Sequence, residues 1–239
     1  FVGVEALIRW NHPKLGRVSP DKFIPLAEQT GLINPLTVWV LTEALRQSYV
    51  WRRVGLEMNV AVNVSAKNLH SSDLAEHLAR LLSASGASAE KLIVEVTESA
   101  IMGDESRAQN TLNKLHAQGA EIAIDDFGTG YSSFANLRSL PVTEIKIDKS
   151  FVIGMAKSNE DRIIVDSIIE LGHKLGMHVV AEGIETLAAW SALSELHCDL
   201  AQGYYLSRPL PADDLLGWTR AFVPPTASAT SATKWSDAV

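Results

Sequence analysis

Residues Ile122 to Ser133 read I-A-I-D-D-F-G-T-G-Y-S-S. The apolar run Ile122-Ala123-Ile124 leads straight into two adjacent carboxylates, Asp125 and Asp126, and a loop with Gly128, Gly130 and two serines follows. A short apolar run that stops at a turn has the pattern of a buried strand. Carboxylates at the end of a buried strand are costly unless a positive group pairs with them. A hard divalent cation is the usual partner, because it takes oxygen ligands. Taken alone, Asp-Asp-Phe-Gly fits an acidic turn capping the next helix equally well, so the rest of the chain has to decide.

Working outward, strands and helices alternate. Strands are expected at Val2 to Arg9, Val60 to Val64, Leu92 to Val96, Glu121 to Ile124, Glu144 to Ile147, His178 to Ala181 and Asp199 to Gln202. The first ends at Arg9-Trp10 and a turn, Asn11-His12-Pro13. Helices are expected from Ser19-Pro20, with Ser19 as N-cap and Pro20 at the first helical position. This one has Phe23, Leu26 and Ala27 as its apolar stripe and stops at Gly31. Further helices run from Pro35 to Trp51, Leu74 to Leu82, Ser106 to Gln118, Tyr131 to Leu140, Ile163 to Leu175 and Thr186 to Leu196. Trp10, Trp39 and Trp51 are expected to pack. Strand-helix alternation implies a parallel sheet, and seven strands are one short of a closed (β/α)8 barrel. The missing strand is expected before Phe1, leaving a gap beside Val2 to Arg9. The domain is expected to span residues 1–222, with residues 223–239, rich in Pro, Ser, Thr and Ala, a disordered low-complexity tail.

Composition narrows the function. The chain has 239 residues, 46% of them apolar, and a formal net charge of −7. An acidic chain lacks the basic face that a nucleic-acid polymer requires, but a small anion can be reached through a bound metal that supplies its own charge. One cysteine, Cys198, gives no internal disulfide and fits a reducing compartment. No run of eighteen apolar residues occurs. A cytoplasmic domain without membrane contact is expected, although Phe1 does not resemble a natural start and an anchored region could precede it.

The polar residues of the strands fall one after another at their C-terminal ends: Glu5, Asn63, Glu95, Asp125 with Asp126, Lys146, Glu182 and Gln202. Reactive groups of parallel barrels gather at that end. Two residues before the first four stand Gly3, Ala61, Ile93 and Ala123, three of them small, on the same side by period-two alternation. The seven histidines show no zinc-site spacing.

Glu5-Ala6-Leu7 within V-E-A-L-I-R-W resembles the signature of EAL domains, the cyclic di-GMP phosphodiesterase family. The resemblance continues through N-V-S at Asn63, E-V-T-E-S at Glu95, D-D-F-G-T-G-Y-S-S at Asp125, E-I-K-I-D at Lys146, A-E-G-I-E at Glu182 and A-Q-G-Y at Gln202. It implies an α/β fold, a modified TIM (β/α)8 barrel whose first, antiparallel strand lies before residue 1. It also implies metal-dependent hydrolysis of cyclic di-GMP to linear pGpG. Glu5, Asn63, Glu95 and Asp125 would bind a first Mg²⁺ or Mn²⁺, with Asp125 bridging to a second served by Asp126 and Glu182. Lys146, Glu182 and Asp126 are the implied catalytic set. Leu7, Arg9 and Gln202 would meet the ligand, with Arg9 clamping phosphate, and Glu98 would brace the Asp-Asp-Phe-Gly loop. Asp148 and Glu185 match motif positions but stay outside the metal set. The resemblance further implies a homodimer and allows upstream sensor or cyclase domains. Some EAL domains are inactive receptors or interaction modules; every matched position here keeps a chemically competent residue, which favours the enzyme.

Overall fold

The computed structural model describes residues 1–71, 73–85, 87–130 and 134–225. The expected helix start at Tyr131 and the tail from residue 226 lie outside these residues. The chain falls into two units, one of Gly3–Glu121 and the other of Phe1–Val2 with the chain from Ile122 onward.

In the Gly3–Glu121 unit the elements are β1 (Gly3–Glu5), β2 (Trp10–His12), β3 (Gly16–Val18), α1 (Pro20–Thr30), α2 (Ile33–Arg53), β4 (Asn59–Asn63), α3 (Ala66–Leu69), α4 (Asp73–Ser85), β5 (Leu92–Thr97), α5 (Glu98–Met102) and α6 (Glu105–Ala117). Strands β1, β4 and β5 run parallel in that order, with Glu5 opposite Ala61 and Asn63 opposite Glu95. Their middles are buried, as Val60, Val62, Leu92 and Val94 show, which is the pattern of strands covered on both faces. Helix α1 starts after Ser19 with Pro20 in its first turn and ends at Gly31, whose φ of 77° takes the left-handed form that glycine tolerates.

Several expectations need correction in this unit. The first strand is only Gly3–Glu5, and the chain then forms a β2–β3 hairpin that the alternation did not foretell. Its turn lies at Pro13–Leu15 and not at Asn11–Pro13, because Pro13 cannot donate to a ladder and His12 Nδ1 accepts the N–H groups of Lys14 and Leu15 at 3.1 Å each. Ser19 does not cap α1 with its side chain; its hydroxyl donates to Asp21. Leu26 faces solvent while Phe23 and Ala27 are buried. Trp51 packs as expected and Trp10 meets Phe23 edge-on, whereas Trp39 is 55% exposed. Helices α3 and α5 are about one turn long, too short to leave a periodic signal.

From Ile122 on, the second unit has β6 (Glu121–Phe127), α7 (Phe134–Ser139), β7 (Glu144–Ile147), α8 (Lys149–Gly154), α9 (Asn159–Lys174), β8 (His178–Ala181), α10 (Leu187–Glu195), β9 (Leu200–Ala201) and α11 (Leu215–Ala221). Strands β6 to β9 are parallel and sequential, and β7 and β8 keep their expected bounds. Strand β6 runs on past Ile124 to take in both aspartates, and β9 is shorter than expected. Asp148, Ser158 and Thr186 cap α8, α9 and α10 with their side chains. The Phe1 ring packs against Trp218 and Phe222 of the unforeseen α11 and its end. Among the described residues no helix is long and apolar enough to cross a membrane.

Candidate active site

The second unit builds its polar cluster around one lysine. Lys146 stands in β7, flanked by β6 and β8, and is 1% exposed. Its Nζ lies 2.7 Å from Glu182 Oε1, just beyond β8, and 3.5 Å from Asp125 Oδ1 on β6. The parallel register explains the convergence: Lys146 is opposite Val180 and Ile147 opposite Ala181, so Glu182 leaves β8 next to the lysine's end of β7. A buried ammonium is tolerable only with such partners. It has three N–H donors to share between two carboxylates.

Asp125 and Asp126 sit on a β-bulge. Ile124 is opposite Ile145 but Phe127 is opposite Ile147, so β6 carries one residue more than β7 across this step. Bulges re-aim side chains next to functional sites. Asp126 has φ = 53°, the left-handed region that Asp and Asn enter more readily than most residues. Its N–H donates to Asp125 Oδ1 at 3.0 Å, and its carbonyl accepts from the Thr129 hydroxyl at 2.8 Å. Burial first, then the charges of Asp125 and Asp148 and a hydrogen bond with Asp148, hold the Asp126 pKa above the ordinary aspartate value; Lys146 pulls the other way. For Asp148 burial pushes upward but is outweighed by hydrogen bonds from the Ser150 hydroxyl and N–H and from Asp126, so its pKa lies below the ordinary value. Of the two, Asp126 holds a proton more readily.

Two glycines let the neighbouring loops approach. Gly183 follows Glu182 with φ = 71°, and a Cβ there would run into Lys149. A Cβ on Gly203, after Gln202, would strike the Ile184 backbone. The two loops are tied by Ile184 N–H to the Gln202 carbonyl at 3.1 Å and by Gln202 N–H to the Ala181 carbonyl at 2.9 Å. Gln202 is thus fixed beside the segment that carries Glu182.

The Gly3–Glu121 unit brings three expected residues to the ends of its strands. Asn63 Nδ2 donates to Glu5 Oε1 at 2.6 Å. Glu95, 2% exposed, is opposite Asn63, and Val64 N–H donates to the Glu95 carbonyl at 2.8 Å. Glu98, also buried, is the first residue of α5, where a carboxylate favours the helix N-terminus. Leu7 is 42% exposed and Arg9 is exposed, its Nη1 donating to the Ile8 carbonyl at 3.0 Å. Both lie on the loop between β1 and the hairpin, open to a ligand and not drawn into the Glu5–Asn63 pair.

The donors at these strand ends are carboxylate and amide oxygens, a set that suits a hard cation such as Mg²⁺ or Mn²⁺. Their chemistry fits a metal. Among the described residues no three His, Cys, Asp or Glu side chains form a metal-holding group; what is assembled is Glu5 with Asn63, and Asp125 with Glu182 through Lys146.

The profile of the EAL domain family matches residues 1–209. This chain belongs to the EAL domain family. It is 44% identical over 217 residues to the bifunctional diguanylate cyclase/cyclic di-GMP phosphodiesterase MucR of Pseudomonas aeruginosa, covering 90% of this chain and 32% of the relative. It is 41% identical over 218 residues to the cyclic di-GMP phosphodiesterase PA2567 of the same organism, covering 91% and 37%. The chain spans about a third of the length of these curated relatives. The solved c-di-GMP complex of the PaMucR phosphodiesterase superposes with a TM-score of 0.86 at 44% identity, over 90% of this chain and 87% of that one. The α/β class and the TIM-barrel type of fold expected from the motifs are those of the EAL structures it matches. In EAL terms, the E-A-L triplet is the last residue of β1 and the two that follow it. Sequence reasoning left Asp148 without a role. Its signal was visible as the acidic residue two positions after Lys146, but its bond to Asp126 depends on the bulge.

Proposed function

We propose that this EAL domain is a metal-dependent phosphodiesterase that hydrolyses cyclic di-GMP to linear pGpG. The observation that carries the reading is the buried Lys146 held against Glu182 and Asp125, in a family whose matched relatives include cyclic di-GMP phosphodiesterases. Glu5, Asn63, Glu95 and Asp125 would hold one divalent ion, and Asp125, Asp126 and Glu182 a second. Such ions, when bound, would activate a water and neutralise phosphate charge. Lys146 orients Asp125 and Glu182, and its ammonium offsets charge growing on the phosphoryl oxygens. Arg9 clamps a phosphate with its paired N–H donors, Leu7 and Gln202 contact the dinucleotide, and Glu98 braces the loop after Asp126. The water oxygen bonds to phosphorus as the bond to the ribose 3′ oxygen breaks. The water's proton ends on that oxygen, leaving a 5′-phosphate and a 3′-hydroxyl. A cytoplasmic homodimer, within a longer protein carrying sensor or cyclase domains, completes the proposal.

The test is to incubate the protein with cyclic di-GMP and Mg²⁺ and to separate the products by chromatography. pGpG is expected, turnover should vanish with excess chelator and return with Mg²⁺ or Mn²⁺, and Ca²⁺ should substitute poorly because of its looser coordination. Tight binding without turnover would make the domain a receptor and overturn the hydrolytic reading. Full activity in chelator would overturn the metal mechanism.

A further inference from the structure

Asn63 ends β4, and what fixes the chain just beyond it is a buried hydrogen-bond hub centred on Asn68, of which only Ser65 belongs to a motif. Asn68, in α3, is 3% exposed. Its Oδ1 accepts from the Thr37 hydroxyl at 2.8 Å and from the Ser65 hydroxyl at 2.9 Å, and its Nδ2 donates to Asn34 Oδ1 at 2.8 Å. The Asn68 backbone N–H also donates to Ser65 Oγ, the N-cap of α3. One amide therefore uses three of its four hydrogen-bonding positions. It joins two residues of α2 to Ser65, two positions after Asn63.

An all-apolar contact between α2 and α3 would serve packing alone, and α2 already buries Leu41, Ala44 and Leu45 for that purpose. A polar hub adds direction: each partner is held at one distance and one angle. The exit of β4 is then pinned at two points, by Val64 N–H on the Glu95 carbonyl and by Ser65 on Asn68. Between these pins and the strand, the Asn63 side chain donates to Glu5. We propose that Asn68 is a positioning residue for Asn63, its buried amide fixing the turn after β4 so that the Asn63 amide stays directed at Glu5. The inference rests on the reading of Asn63 as a metal ligand for its functional consequence, but not for its geometry. Groups that orient metal ligands in this way, when removed, commonly weaken metal affinity or activity by about 10–100-fold.

Asn68→Leu keeps the branched shape of the side chain, though it is somewhat larger, and removes the hub, and Thr37→Val, which deletes one donor, is the milder variant if Asn68→Leu does not fold. The half-saturating Mn²⁺ concentration for binding, measured without substrate, should rise about tenfold or more, with KM for cyclic di-GMP changed less than about twofold because no ligand contact is touched. In an Asn63→Ala background the same substitution should add nothing, since the residue it acts through is gone. In the metal-free protein the Asn63 side-chain amide resonance should shift in the Asn68 or Thr37 variant. An unmoved Asn63 resonance, or an undiminished effect on Mn²⁺ binding in the Asn63→Ala background, would overturn the positioning role. If the wild-type protein bound no Mn²⁺, the metal reading would fall and the resonance would still decide the positioning.

Discussion

The two units stabilise their acidic residues by different means. In the Gly3–Glu121 unit, Glu5 is met by a neutral amide, that of Asn63, and Glu98 starts a helix, where backbone N–H groups and the dipole favour a carboxylate. In the second unit, Asp125 and Glu182 are met by a full positive charge, the ammonium of Lys146. An amide in this position leaves a carboxylate's charge in place for something else to neutralise, while an ammonium neutralises it within the fold. Removing one partner should therefore hurt stability far more in the second unit than in the first.

The largest effect should come from Lys146→Met. It leaves Asp125 and Glu182 facing a buried apolar chain without their cation, and breaking a buried pair in this way costs about 3–5 kcal/mol. Turnover should fall roughly 10²–10³-fold, the range for loss of one preorganised electrostatic group. Denaturant melts and product assays on the same preparation check both. A stable variant with normal turnover would erase the contrast between the units.

Glu5→Ala is the matching change in the other unit. It removes a proposed metal ligand that accepts from the exposed Asn63 amide, so turnover should drop by orders of magnitude while stability changes by about 1–2 kcal/mol, less than for Lys146→Met. A loss of stability as large as that of Lys146→Met would show that the Glu5–Asn63 bond belongs to the core and not to the site. Arg9→Ala should act more gently still. Its guanidinium is exposed and bonds only to its neighbour's carbonyl among the contacts the structure gives, so KM should rise about tenfold with kcat less affected, as for a group that binds ground state and transition state alike. Unchanged KM would remove Arg9 from the ligand contacts.

What the sequence made legible follows the same division. The runs E-I-K-I and H-V-V-A place β7 and β8 to the residue, with Lys146 inside the first and Glu182 just past the second. The pairing of Lys146 with Glu182 was not legible, because it comes from the register of two strands about thirty-five residues apart and not from any spacing. Nor was the bulge at Asp125–Asp126, since an extra residue in a ladder is defined only by the partner strand. The Asn68 hub escaped notice because Asn34, Thr37 and Ser65 are ordinary polar residues until the fold buries Asn68 and Thr37 between them. Trp39 was misjudged for the opposite reason: its apolar bulk suggested a core position, but its turn of α2 faces solvent.

The smallest expected effect is on stability in Asp126→Asn, and its sign is the informative part. The pKa of Asp126 is raised in the folded protein, by burial first and then by Asp125 and Asp148. Its contribution is therefore fully present below the ordinary aspartate pKa and is lost as pH rises through the raised value. At neutral pH the ionised side chain works against the fold. Asparagine removes that charge, keeps an N–H donor for Asp148, and tolerates φ = 53° at least as well as aspartate. Because the site is half-buried and open to solvent screening, the gain is limited to under about 1 kcal/mol, a rise in Tm of at most about 3 °C for a chain of this size. The gain should shrink as pH falls through the raised pKa, as Asp126 takes up its proton. Asp148 has the opposite slope, its contribution being lost as pH falls through its lowered pKa, so it must be kept in both proteins for the comparison to isolate Asp126. Melts of Asp126→Asn and wild type at pH 7 and pH 4 give the answer. A variant less stable at pH 7, or a difference that ignores pH, would mean that the carboxylate at the bulge is held by more positive charge than the second unit supplies.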